Sequence, residues 1–316
     1  MNSHDPQRTR RRRRLIATAL LLGLAVGAVA LWRLGFGSQP QVIGSATKCL
    51  QMPHFLGRMD VGPGAYIGTS IEGVTGLAIV DSTGAVHQGS TWDDAGYLGA
   101  YTFDEDGNLY TAPAPLVSLI ENPPDEQNKI WRVDTDSGIM SEWLELEPAR
   151  PPSELNPFGV VGLGYDCDTH SLYAASLMGS TPDEEVGRVF RIDVSQGRVA
   201  DVLEGVDAMG LGVFTTANGK RLFFGHARDS GVRSIGLDES GDFLGQPRLE
   251  FHLTDLPGGS NERVQRITFS PEDEMKLKGI DFNFTLRVAF DNASTLYTLR
   301  YDPADDTWQL VDIARE

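Results

Sequence analysis

His226, Arg228 and Asp229 lie within four residues of one another. An imidazole beside a carboxylate and a guanidinium can pass a proton near neutral pH, so His226 and Asp229 are the candidates for acid–base work. The plainer reading is a histidine that closes a strand and is hydrogen-bonded in its own loop. Asp104, Asp106 and Gly107, and again Asp134, Asp136 and Gly138, look like pieces of a calcium loop. Neither set has its glycine and a distal glutamate at EF-hand spacing, and aspartate with glycine is what a hairpin turn needs, so both are read as turns. Cys49 and Cys167 are the only cysteines; with no C-x-x-C pair they offer no thiol redox or zinc chemistry, and form either one disulfide or two buried thiols. The chain has no G-x-S-x-G, H-E-x-x-H, Walker A or G-x-G-x-x-G after a strand. Serine hydrolysis, zinc proteolysis, phosphoryl transfer and nicotinamide redox chemistry by their standard motifs are therefore disfavoured.

The elements that must position these residues begin with a division of charge. Residues 1–40 hold seven arginines and one acid, Asp5, whereas residues 41–316 hold 20 basic and 43 acidic side chains. An acidic body repels phosphate backbones, so nucleic acid is not expected as a partner. Leu15 to Trp32 runs 18 residues without a charge. As a helix that is about 27 Å, set against a hydrocarbon core of roughly 30 Å. Residues 1–14 are read as a basic cytoplasmic arm and 15–32 as a transmembrane anchor, the contact with the membrane, with 33–52 a linker beyond it. The alternative is a signal sequence cleaved near Ala28-Val29-Ala30, giving a secreted or periplasmic protein. Both readings put the acidic body outside the cytoplasm.

That body repeats. An aromatic, a polar turn, then Leu and an aromatic recur at Phe103 to Tyr110, Tyr165 to Tyr173, Phe214 to Phe223 and Phe290 to Tyr297, with a looser copy from Phe269 to Leu277. Each reads as two short strands around a turn. A second unit, an alternating strand that runs into an aspartate turn, places Asp81, Asp134, Asp193, Asp238 and Asp302 at intervals of 53, 59, 45 and 64. Two strand pairs per cycle of about 50 residues are the pattern of a β-propeller blade. No sustained 3.6-residue periodicity follows Trp32, which argues against a helical or α/β body, and a pair of β-sandwiches is the competing all-β arrangement. The expected fold is an all-β propeller over 53–316, with six blades favoured and five open. The sixth sheet would lie in the long last interval and in the segment before Ala78.

Asp106-Gly107-Asn108-Leu109-Tyr110, Lys129 to Asp134, and Ala217-Asn218-Gly219-Lys220-Arg221-Leu222-Phe223-Phe224 resemble blades of the NHL-repeat propellers and of the gluconolactonase-like and strictosidine-synthase-like six-bladed superfamily. The resemblance covers about residues 100–300 at the level of strand and turn phrasing. One such fold carries many functions. It implies a mouth where loops converge, which nominates Trp92, Asp93, Asp94, Glu154, Asn156, Asp207, Asn261, Glu262, Arg263 and the His226 group, with two long loops at 112–128 and 176–187. The lactonase-type members hold a divalent cation, generally calcium, through glutamate, asparagine and aspartate. Carried over, that set is Glu72, Asn156 and Asp207, although Met209 stands where these relatives often have asparagine. Two functions follow. The preferred one is a membrane-anchored module that binds an envelope protein or small-molecule ligand. The other is a calcium-dependent lactonase or esterase, its metal on Glu72, Asn156 and Asp207 and its proton handled by His226 or Asp229.

Overall fold

The computed structural model describes residues 42–69, 71–115, 122–153, 155–285 and 294–315. The basic arm and the expected anchor at 15–32 lie outside them, as does Glu154; no helix among the described residues is long and apolar enough to cross a membrane. The compact unit spans Ile43–Glu316, so it takes in the last ten residues of the expected linker.

A two-residue strand, β1 (Ser45–Ala46), precedes five antiparallel sheets, and these are the blades of a five-bladed propeller. Blade 1 holds β2 (Tyr66–Gly68), β3 (Ala78–Val80) and β4 (Val86–His87). Blade 2 holds β5 (Leu98–Phe103), β6 (Leu109–Pro113), β7 (Lys129–Val133) and β8 (Met140–Glu145). Blade 3 runs through β9 (Val160–Asp166), β10 (Ser171–Ser176), β11 (Arg188–Asp193) and β12 (Arg198–Glu204). Blade 4 has β13 (Ala208–Thr216), β14 (Gly219–His226), β15 (Gly231–Leu237) and β16 (Phe243–His252). Blade 5 has β17 (Arg263–Phe269), β18 (Met275–Ile280), β19 (Thr295–Asp302) and β20 (Thr307–Arg315).

The favoured count of six is corrected to five. Among the described residues the 64-residue last interval holds the ten-residue β16 and the first three strands of blade 5, and no further sheet. The segment before Ala78 supplies β1, a 3-10 turn at His54–Arg58 and β2. The five turn aspartates mark one blade each. Every one sits between the third and fourth strands of its sheet, or the second and third in blade 1, and accepts backbone N–H bonds: Asp81 from Thr83 (2.8 Å), Asp134 from Ser137 (2.8 Å), Asp193 from Gln196 (3.1 Å), Asp238 from Ser240 (2.8 Å), Asp302 from Ala304 (3.0 Å). A carboxylate that satisfies the turn's own donors makes each reversal a local property of the chain.

Burial falls from axis to rim. All nine residues of β13 are buried, because neighbouring blades cover both faces of an inner strand, whereas β20 has no buried residue and presents its outer edge to water. Glycine lets the inner strands converge. A Cβ on Gly210 would stand 2.5 Å from Arg266 Cα, and one on Gly162 would stand 2.4 Å from Met209 O. Four apolar cores join blade 1 to 2, 2 to 3, 3 to 4 and 4 to 5. The last contains Phe214, Phe223, Phe269, Tyr301 and Trp308 in mutual ring contact, each buried ring stabilising by about 1.5–3 kcal/mol. Among the described residues no such core joins blade 5 to blade 1.

A strap of chain crosses the end of the channel where the hairpin turns gather. Gly44 N donates to Thr215 O (2.8 Å) and β1 pairs with the inner edge of β13, in blade 4. Ala46 N and Lys48 Nζ both bond Asp273 of blade 5, at 3.1 and 2.9 Å. Cys49 is disulfide-bonded to Cys167 in the first turn of blade 3, with α carbons 5.7 Å apart and 118 residues between them in sequence. Gln51 N donates to Asp104 O and Phe55 N to Thr135 O, both in blade 2, before the chain enters blade 1. The strap therefore bonds to blades 2, 3, 4 and 5 and forms the channel floor.

Candidate functional site

Above the strap lies a cavity of about 870 Å³, bounded by the inner strands β5, β9, β13 and β17 and opening toward the loops at 113–115, 158–159 and 280–283. Its wall is largely apolar and aromatic, with Tyr101, Phe103, Tyr165, Leu211, Ile267 and Phe282 among the lining side chains. The polar side chains of the lining come mainly from blade 5. A bulge at Gln265, where the β17–β18 register shifts, brings Arg266 opposite Lys278 across the ladder. Both line the cavity, and the Arg266 guanidinium stands 4.5 Å over the ring of Tyr101, whose hydroxyl donates to Ile67 O. An apolar collar of Phe158, Leu177, Met209, Ala227 and Phe284 packs on one side of the mouth, where Phe158 and Met209 line it.

Beside the collar is a charged cluster built from three loops of blades 3 and 4. His226, at the end of β14, is buried, with Nε2 3.0 Å from Glu185 Oε1 and Nδ1 3.0 Å from Asp229 Oδ1. The second approach is misaligned for a hydrogen bond and leaves Nδ1 without one. Asp229 accepts instead from Gly231 N (2.8 Å) and Arg233 Nη2 (2.9 Å). Arg228 Nε donates to Asp207 Oδ2 (2.7 Å), while its Nη atoms reach the carbonyls of Thr181 (2.7 Å), Pro182 (3.0 Å) and Glu184. Burial would raise the Glu185 carboxyl, but the bonds from His226 and from Asp207 N outweigh it and hold the group below its ordinary value. Asp229 is likewise lowered: burial pushes it up, and Gly231 N together with the His226 and Arg233 charges pulls it further down. Fully buried Asp207 goes the other way, raised by burial despite Ser180 and Arg228. Blade 4 thus holds the 176–187 loop of blade 3 through ion pairs and carbonyl bonds.

The sequence-nominated residues separate on this geometry. His226, Asp229, Arg228 and Asp207 come together, with Glu185 as a partner that the sequence reading did not single out. Glu72 sits exposed in a turn of blade 1. Asn156 is fully buried and spends its amide on Leu177 O (2.6 Å) and Ser180 O (2.9 Å), and its Oδ1 on Phe158 N (3.0 Å). Asp207 Oδ1 accepts from Ser180 Oγ and from Gly187 N, and Oδ2 from Arg228. These donor sets do not fit a shared calcium ion, since the oxygens of Asn156 and Asp207 are directed to protein donors. No group of three or more His, Cys, Asp or Glu suited to a metal occurs among the described residues. Trp92 is core, its Nε1 donating to Gly138 O (2.8 Å), and Glu262 accepts from Thr295 Oγ1 (2.8 Å) and Tyr297 OH (2.7 Å). Asp104 and Asp134 hold turns, Asp104 accepting from Asp106 N and Asn108 N. The cavity cations were missed as well. Their pairing depends on the bulge at Gln265, which leaves no mark in residue spacing.

No protein-family model matches the chain, and no curated relative does. Among solved structures, a luciferin-regenerating enzyme has a TM-score of 0.51 at 11% identity, over 86% of this chain and 78% of that one. Virginiamycin B lyase from Staphylococcus aureus has a TM-score of 0.40 at 15% identity over 79% and 82% of the two chains. A glucose dehydrogenase has 0.43 at 14% over 83% and 84%. At such identities the likeness is one of fold alone, and the last two scores carry no argument. The propeller resemblance in the strand and turn phrasing holds at that level.

Proposed function

We propose that the protein is a binding propeller that takes a small-molecule ligand into its central channel through the open mouth. The observation that carries this reading is the roughly 870 Å³ cavity, closed below by the disulfide-pinned strap and lined by aromatic side chains with a few polar groups. A channel floored in this way admits ligand from one side only. The reading extends to location: the propeller works outside the cytoplasm, held at the membrane by residues 15–32 or released after cleavage. The Cys49–Cys167 bridge supports that compartment, because disulfides persist where the surroundings are oxidising. The test is binding of the neutral fluorescent amine N-phenyl-1-naphthylamine to the full chain, compared with Thr268→Trp, which plants an indole in the channel at an exposed lining position. Binding that is lost in the variant is expected; binding that survives it unchanged rejects the channel as the site.

A hydrolase is the second reading, favoured by the carboxylates on either side of His226. It predicts turnover of lactones or aryl esters that disappears in His226→Ala. It has less support than binding, because His226 and Arg228 are occupied in holding the 176–187 loop, and the Glu72, Asn156 and Asp207 oxygens do not converge.

A further inference from the structure

Arg266 and Lys278 face each other across the β17–β18 ladder and both line the cavity. Two like charges directly opposite on one sheet face repel, and a sheet tolerates them at a cost unless an anion lies between. Neither has a carboxylate partner among the described residues. Among the described residues Arg266 has only the face of Tyr101 beneath it, and the Lys278 side chain makes neither a hydrogen bond nor an ion pair. Lys48, the third cation of the lining, is by contrast paired to Asp273 at 2.9 Å. Asp281 is the one carboxylate among the lining residues, exposed at the mouth and bonded to neither cation. In a body with 43 acidic and 20 basic side chains, two cations on the channel wall without a carboxylate partner among the described residues run against the composition.

The geometry points to a small organic anion as the ligand class, its carboxylate or equivalent acidic group between Arg266 and Lys278 and its apolar body against Tyr101, Phe103, Leu211 and Ile267. This rests on the channel being the binding site. A guanidinium fork grips a carboxylate through two parallel bonds, and an ammonium opposite adds a point charge. The aromatic wall supplies area and the cation pair supplies selection for charge, so a neutral molecule of the same shape forfeits the second contribution.

The experiment compares two fluorescent probes with one carbon skeleton, anionic 8-anilinonaphthalene-1-sulfonate and neutral N-phenyl-1-naphthylamine. Each is titrated into the full chain, into Arg266→Gln/Lys278→Gln and into Thr268→Trp. The expected result is a preference for the anionic probe of roughly tenfold or more that vanishes in the double variant, with the neutral probe unaffected there and both probes displaced in Thr268→Trp. Equal binding of the two probes by the native chain, unchanged in the double variant, overturns the anion inference and leaves the channel as the site. Binding of neither probe, or binding insensitive to Thr268→Trp, removes the channel reading itself. A second measurement needs no ligand. In low salt, Lys278→Gln relieves the repulsion and raises Tm by about 1–2 °C, an increase that shrinks as salt is added. An unchanged or lowered Tm counts against the pair as an uncompensated charge site.

Discussion

The two ends of the channel are held by different kinds of force. At the floor, one strap is fixed by strand pairing, buried aromatic contact and a covalent bond over 118 residues of sequence. At the mouth, the 176–187 loop of blade 3 is held to blade 4 by charged groups: Glu185 pairs with His226, Arg228 binds the carbonyls of Thr181, Pro182 and Glu184, and Asp207, itself paired with Arg228, accepts from Ser180 and Gly187. The Lys48–Asp273 pair aside, the floor is therefore insensitive to pH and salt and sensitive to reductant, and the mouth has the opposite sensitivities. On the binding reading proposed above, a fixed end and an end that can be loosened are both required, and the chain assigns them to different chemistry.

The comparison breaks most sharply if the floor is cut. Cys49→Ser with Cys167→Ser removes a constraint worth up to about 4.7 kcal/mol in the chain-entropy account, a fall in Tm of about 10 °C or more in a scan at fixed pH. Reduction of the native protein should give the same shift. If neither changes Tm, the strap is held by its other contacts alone. Next in size is Arg228→Ala, which strands the buried Asp207 carboxylate and costs about 3 kcal/mol, the usual result of removing one partner of a buried pair. Hydrogen exchange should speed up across 176–187 and remain slow at the strap; acceleration at both ends would erase the distinction.

Acid gives a smaller effect with a definite sign. Glu185 and Asp229 are held below their ordinary values in the fold, so the unfolded chain takes up protons first. Their contribution is complete above about pH 4.5, the ordinary glutamate value, and drains away as pH falls through the lowered folded values. Asp207 opposes it: with its folded value raised, its contribution is largest when protonated and fades as pH rises through that value. Tm should drop by a few degrees below pH 4.5, and Glu185→Gln should flatten the drop. A variant with the native pH profile would remove the carboxylate from the mouth's ionic lock. The smallest effect belongs to Lys48→Ala at the floor, where an ion pair with one partner half exposed contributes no more than about 1 kcal/mol. A larger loss by denaturant titration would mean that the floor is more ionic than its geometry implies.

Much of the fold was legible because it is local. The aspartates at 81, 134, 193, 238 and 302 each satisfy a turn within four residues of themselves, so period and partner lie in one stretch of sequence. The hairpins at 103–110, 165–173 and 214–223 were readable for the same reason. Blade 5 was harder: its inner hairpin is the looser copy at Phe269 to Leu277, and Phe290 falls outside the described residues. The sites were legible only in part. His226 and Asp229 stand three residues apart and announce themselves, whereas Glu185 reaches His226 from 41 residues away. Arg266 and Lys278 are brought opposite by a bulge, and nothing in their spacing encodes it. Asn156 and Asp207 were nominated for their oxygens, yet burial had already committed those oxygens to backbone, serine and arginine donors.

The strap also decides how the molecule bears force. A pull on the chain ahead of Ile43 reaches β1 and the Lys48 pair first, and then passes through the Cys49–Cys167 bond into blade 3, the middle of the five. Blade 1, whose strands are three, three and two residues long, lies beyond that bond along the chain and is shielded from the load. The seam between blades 5 and 1, which lacks an apolar core among the described residues, is spared as well. Under the proposed N-terminal tether, the propeller would be anchored mechanically at its middle blade, with the short-stranded blade 1 left slack while the disulfide carries the tension.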